Sequence, residues 1–213
     1  MIFSEKDYQD NLRYVSGLFS LGGLSECGKT SAGLRLAELG VRRSKIIKIE
    51  RAMMEERGYD LTEGMKNEHF VQLYAVNPEE VFKEFLYRLI ELMKADGTRF
   101  ASIESLYRAE LGAFLKKELG PRMANIYIDA PAEARAAREL IKVNAKAREE
   151  GKPEITLEEM VARVIAKDKF KMEHHAERVK DIADYVVDNS EGVTKEEFLA
   201  KIDEIAYSMG VER

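Results

Sequence analysis

Residues 23–30 read Gly23-Leu24-Ser25-Glu26-Cys27-Gly28-Lys29-Thr30, the spacing G-x-x-x-x-G-K-[ST] of a phosphate-binding loop. The apolar run Leu18-Phe19-Ser20-Leu21 precedes it, and a helix-like run from Thr30 to Leu39 follows. The motif therefore sits in the strand–loop–helix setting that its chemistry requires. Glycines let the backbone wrap closely around phosphates, and successive N–H groups at a helix N-terminus favour an anion. The expected nucleotide cradle is Gly23, Leu24, Ser25, Glu26, Cys27, Gly28, Lys29, Thr30 and Ser31. In it Lys29 reaches the β and γ phosphates and Thr30 offers its hydroxyl to Mg²⁺. Glu26, a carboxylate inside an anion cradle, is expected to point outward. Cys27 reads as a small loop filler.

Outward from the loop, the chain has 213 residues, 45% hydrophobic and 34% charged, which suits a folded domain rather than a disordered chain. A net charge of −5 argues against a non-specific nucleic-acid binder. Cys27 is the single cysteine, so no internal disulfide can form and a reducing compartment is suited. The apolar runs are too short to cross a bilayer. The start Met-Ile-Phe-Ser-Glu-Lys-Asp has no basic-then-apolar pattern, so a cytoplasmic location is expected.

The hydrophobic pattern predicts a short helix over 4–14, a strand at 17–21, and a first helix ending at Gly40. Ile46-Ile47-Lys48-Ile49 is read as the second strand. A short helix follows at Arg51–Arg57, and residues up to 76 are ambiguous. Asn77-Pro78-Glu79-Glu80 is a helix start, and Val81, Phe82, Phe85, Leu86, Leu89, Ile90 and Met93 carry helical spacing up to Gly97. Phe100–Ile103 is a third strand, Leu106–Leu119 a helix, Ala124–Ile128 a fourth strand, and about 131–150 a charged helix. Thr156-Leu-Glu-Glu159 and Thr194-Lys-Glu-Glu197 are capping boxes, with Ile155/Met160 and Val193/Phe198 as staples. Ala183–Val187 is a fifth strand and 195–208 the last helix. Alternating strands and helices imply a parallel sheet covered on both faces, with the site at the strand C-termini.

Four stretches carry a resemblance to the small P-loop kinases, which include nucleoside monophosphate kinases and dephospho-coenzyme A kinase. They are the loop at 22–30; Phe100-Ala-Ser-Ile-Glu104; Ile126-Tyr-Ile-Asp-Ala-Pro131 followed by Arg135 and Arg138; and Ala183-Asp-Tyr-Val-Val-Asp-Asn189. The resemblance implies a three-layer α/β/α P-loop NTPase fold with a five-stranded parallel sheet in the order 2-3-1-4-5. It frames one domain over 1–213, with an acceptor-binding insertion at about 51–98 and a lid at about 135–156. Its cofactors would be ATP and Mg²⁺. The activity implied is transfer of the γ-phosphoryl group to a small nucleotide-like acceptor. A (deoxy)nucleoside monophosphate comes first. A hydroxyl acceptor (dephospho-coenzyme A or a nucleoside) and a non-catalytic nucleotide-binding switch stay open as alternatives. No nucleic-acid or membrane partner is expected, and the chain is a monomer or homodimer.

The resemblance also assigns residues. Glu104, ending the third strand, would hold Mg²⁺ through water, with a solvated helix-capping acid as the alternative. Glu50, ending the second strand, matches the position of a base that activates an acceptor hydroxyl, although the chain lacks the Asp-x-Asp pattern found there. Arg51 and Arg108 would clamp an acceptor phosphate, as guanidinium forks do, or simply be solvated. Arg135 and Arg138 are similar to lid arginines that neutralise the moving phosphoryl group. Asn189 would contact the adenine. His174 and His175, adjacent and without further ligands nearby, are not read as a metal site.

Overall fold

The computed structural model describes residues 3–173 and 175–212. Five parallel strands form one sheet in the order β2-β3-β1-β4-β5, the order implied by the resemblance. The strands are β1 Gly17–Gly22, β2 Arg42–Lys45, β3 Phe100–Leu106, β4 Met123–Asp129 and β5 Tyr185–Asp188. The helices are α1 Glu5–Tyr14, α2 Lys29–Glu38, α3 Ile46–Glu56, α4 Asn67–Tyr74, α5 Pro78–Ala95, α6 Ala109–Leu119, α7 Ala132–Glu149, α8 Leu157–Glu173 and α9 Lys195–Ser208. Short 3₁₀ turns occupy Gly120–Arg122 and Ala176–Val179.

Strand alternation sorts the core into two layers. Leu18, Met123 and Tyr127 face the side packed by α1 and α3 to α6, while Phe19, Leu21, Ala124, Ile126 and Ile128 face α2 and α9. β1 is buried throughout, which explains its unbroken apolar reading. Ser20, buried in β1, bonds Asn125 of β4 at 2.7 Å, so this polar pair inside the sheet is satisfied. Among the described residues no helix is long and apolar enough to cross a membrane.

The predicted caps form: Asn77 accepts from the Glu80 N–H with Pro78 at the first helical position, Thr156 exchanges bonds with Glu159, and Thr194 closes a capping box. Ser4, not singled out in the sequence, closes another at the start of α1.

The second strand is a correction. Residues 46–49 are not a strand but the first turn of α3, and β2 is the polar segment Arg42-Arg43-Ser44-Lys45 just before it. The buried residues Ile46, Ile49, Glu50, Met53 and Met54 lie at i, i+3, i+4, i+7 and i+8, the spacing of one helix face. β2 is an edge strand whose residues are half-buried or exposed, so it needs no apolar run. β3 runs on to Leu106, three residues beyond the predicted end, and α6 starts at Ala109. The predicted ambiguity at 58–76 resolves into a turn and α4.

Candidate nucleotide and acceptor site

The loop leaves β1 at Gly22 and enters α2 at Lys29. Gly23 and Gly28 have φ of 124° and 119°, a region closed to most side chains. A Cβ at Gly28 would also come within 2.6 Å of the Asn189 side-chain Nδ2, so the glycine leaves room for that side chain against the loop. Glu26 has φ of 61° and pairs with Lys167 of α8 at 3.0 Å. Burial raises its pKa, but the Lys167 bond and the charges of Lys167, Lys142 and Lys29 together outweigh that and leave the carboxyl below its usual range.

Lys29 is buried, and its ammonium donates to the carbonyls of Gly23, at 2.9 Å, and Leu24. A third, weaker contact runs to the buried Cys27 sulfur at 3.4 Å. Beside it lies a cavity of about 230 Å³ lined by the loop from Ser25 to Ser31, by Ser105, and by Lys142 and Lys171. Thr30 at its edge is exposed. A second cavity of about 330 Å³ adjoins the loop, lined by Gly28, Ser31, Arg138, Asn189, Val193 and Phe198 among others.

The two lid arginines have different surroundings. Arg135 is 3% exposed: its Nε donates to the Ala130 carbonyl at 3.0 Å, and its Nη1 to the Ser25 carbonyl at 2.6 Å and to Asp168 at 2.7 Å. The other Asp168 oxygen accepts the Ser25 N–H at 2.7 Å. Arg135 thus ties α7, α8 and the loop together through Nε and Nη1, and it also lines the second cavity. Arg138 donates from Nη1 to the Asn189 carbonyl at 2.8 Å, while its buried Nη2 has no partner. Desolvation lowers its pKa. The Asn189 side chain bonds the Cys27 carbonyl at 2.8 Å and lines the second cavity.

Glu104 is also corrected. It does not end β3 but pairs there with Lys45 and Leu21, two residues inside the strand. It is 2% exposed, and both oxygens accept from Arg43 of β2, Oε1 from Nε and Oε2 from Nη2 at 3.1 Å. A Cβ at Gly33 of α2 would lie 2.0 Å from Oε1, so the carboxylate fills the space this glycine leaves. As a divalent-cation ligand it does not fit, because a guanidinium already occupies both oxygens. Thr30 fits, being exposed beside the loop.

Glu50 does not end a strand but sits on α3, fully buried. Its Oε1 accepts from Tyr74 at 2.6 Å and Tyr107 at 2.8 Å, and its Oε2 has no partner. Desolvation raises its pKa above the ordinary 4.5, against the opposing pull of the tyrosines and Arg108. Both tyrosine hydroxyls are pushed well above 10.0, chiefly by burial and the Glu50 charge. Arg108, just beyond β3, lays its guanidinium 4.3 Å from the Tyr74 ring centroid, and its buried Nε has no partner. Arg51 is half-exposed and spent on Glu55 one turn away at 2.8 Å, so the structure does not bring it to this cluster. The reading of the histidine pair falls partly on His174, outside the described residues.

Sequence reasoning missed Asp168, Lys171, Arg43, Tyr74 and Tyr107. Lys171 lines the loop cavity, and burial together with the facing Lys29 ammonium lowers its pKa to about 8. The only signal for it was the (i, i+3) pair Asp168/Lys171 in a helix crowded with charge.

No family model matches the chain, and no curated protein matches it in sequence. Among solved structures, TT1252 from Thermus thermophilus is similar over 92% of this chain and 98% of its own, with a TM-score of 0.54 and 15% identity. An uncharacterized protein from Eubacterium ventriosum is similar over 91% and 99%, with a TM-score of 0.53 and 12% identity. A shikimate kinase from Acinetobacter baumannii in complex with shikimate aligns over 96% and 99% more loosely, at a TM-score of 0.44 and 16% identity. At such identities the likeness to the first two establishes a shared fold. The loop at 23–30, the strand order and this likeness together place the chain in the three-layer α/β/α P-loop NTPase fold.

Proposed function

We propose that the protein is a phosphotransferase that moves the γ-phosphoryl group of ATP to a small nucleotide-like acceptor, first a (deoxy)nucleoside monophosphate. The observation that carries this is the loop at 23–30 with Lys29 buried in it, flanked by a cavity whose walls include Arg138 and Asn189. The phosphates lie against the loop N–H groups and the start of α2. Lys29 exchanges its thiol contact for a phosphate oxygen. The base occupies the cavity between Asn189 and Arg138, whose unpartnered Nη2 is a donor for it. Mg²⁺ would be held by the Thr30 hydroxyl and the nucleotide's own phosphates, and would supply charge neutralisation to them.

The acceptor lies over the C-terminal end of β3, beside Arg108. The Tyr74 ring 4.3 Å away holds the guanidinium in place, and a guanidinium suits a dianionic phosphate. Glu50 is sealed and holds two tyrosine hydroxyls, so its part is to orient Tyr74 and Tyr107 under Arg108. That burial favours a phosphate acceptor over a hydroxyl acceptor, which would need Glu50 in reach as base. The catalytic work left to the protein is positioning and electrostatics.

A phosphoryl-transfer screen with Mg-ATP over nucleosides, their monophosphates and dephospho-coenzyme A tests this. Arg108→Ala is expected to raise the acceptor KM at least tenfold and leave the ATP KM within twofold. Tight ATP binding with no transfer to any acceptor would overturn the kinase reading in favour of a nucleotide-binding switch.

A further inference from the structure

We propose that Lys171 of α8 binds the terminal phosphates of the nucleotide and that Asp168 aims it there. This rests on the phosphate-loop reading above. Residues 168 and 171 lie one turn apart on one helix face. Asp168 is 5% exposed, and its carboxylate takes both the Ser25 N–H and the Arg135 guanidinium. That face of α8 is thereby pinned to the loop, and Lys171, one turn on, lines the loop cavity.

Three lysines from three helices now meet one small space: Lys29 from α2, Lys142 from α7 and Lys171 from α8. Glu26, the carboxylate lining the same cavity, is already paired with Lys167. Lys142 is exposed and paired with Glu139 at 3.3 Å, but Lys29 is buried and Lys171 partly so, and bringing two such ammonium groups together is costly unless an anion joins them. The anion that fits beside the loop N–H groups and needs several cations is a polyphosphate chain. Lys171 lines the loop cavity and not the cavity of Arg138 and Asn189, so the phosphates concerned are the terminal ones. A cation facing them thus comes from the second helix of this pair, while Arg135 on the first holds both helices to the loop.

Calorimetric titration of the wild type, Lys171→Met and Lys171→Arg with Mg-ATP and with AMP tests this, together with Tm values measured without nucleotide. Lys171→Met is expected to lose at least tenfold in ATP affinity, the size of a lost charge-assisted hydrogen bond. Its AMP affinity stays within twofold, Lys171→Arg recovers most of the loss, and the nucleotide-free Tm stays level or rises. The inference is overturned if Lys171→Met binds ATP within twofold of the wild type. It is equally overturned if ATP and AMP affinity fall together with a lower Tm, the mark of a merely structural residue. A wild type that binds no ATP sinks the loop reading itself, and this inference with it.

Discussion

A carboxylate sealed under two tyrosine hydroxyls costs stability wherever it must be charged. Glu50 is in that position, and its pKa is raised by desolvation. The native state then binds more protons than the unfolded chain between the ordinary carboxylate value and the raised one. Stability is accordingly full below the ordinary pKa of 4.5 and falls as pH rises through the raised value. Glu50→Gln keeps an oxygen for the tyrosines and removes the charge. Urea unfolding is expected to show it gaining on the wild type as pH goes from 4 to 8; a constant difference would contradict the assignment. At Lys29 the expectation concerns binding. Lys29→Met should abolish measurable ATP binding in calorimetry while the far-ultraviolet circular dichroism stays native. Gly33 gives a third residue-level outcome. In an open helix Gly→Ala gains roughly 1 kcal/mol, but here the added carbon would collide with the Glu104 carboxylate. Gly33→Ala is therefore expected to lower Tm.

At the scale of elements, the pair α7–α8 behaves as one unit. Its own apolar core is small, with Ala136, Met160 and Val164 buried, and Asn144 clamps the connector by bonding both the N–H and the carbonyl of Ile155. Its attachment to the loop runs through the buried Arg135–Asp168 pair. Removing one partner of such a pair leaves an uncompensated charge, which costs about 3–5 kcal/mol. Arg135→Ala is expected to lose stability on that order in denaturant titration, whereas Arg138→Ala, half-buried with one bond to the Asn189 carbonyl, should lose under ~1.5 kcal/mol. If both substitutions proved equally mild, the tie would not be what positions α8. The same element explains one failure of sequence reading. An R-x-x-R spacing identifies two arginines on a helix face but not what each meets, and Asp168 lies 33 residues away from Arg135.

For the whole molecule, two apolar layers on a buried parallel sheet make the strand C-termini the one edge where polar groups from many elements can meet. A ligand binding there couples to global stability. At a hundredfold excess over its Kd, ATP is expected to contribute ~2.7 kcal/mol. For a chain of this length that amounts to roughly 5–10 °C in Tm, readable by scanning calorimetry; AMP at equal concentration should give less. Legible in the residues alone were the loop at 23–30, the capped starts of α5, α8 and α9, the strand order through its resemblance, and the place of Arg138 and Asn189 beside the loop. Those features are local, written in spacing, caps and apolar runs. That 46–49 is helical emerged only from the packed fold, because an edge strand as polar as Arg42–Lys45 carries no apolar signal while the isoleucines beside it do. The packed fold alone decided that Glu104 belongs to Arg43, Glu50 to two tyrosines, and Arg135 to Asp168, leaving Lys171 facing the loop. Burial and ion pairing are made between residues far apart in the chain, and a charge in a sequence does not carry the name of the partner that will claim it.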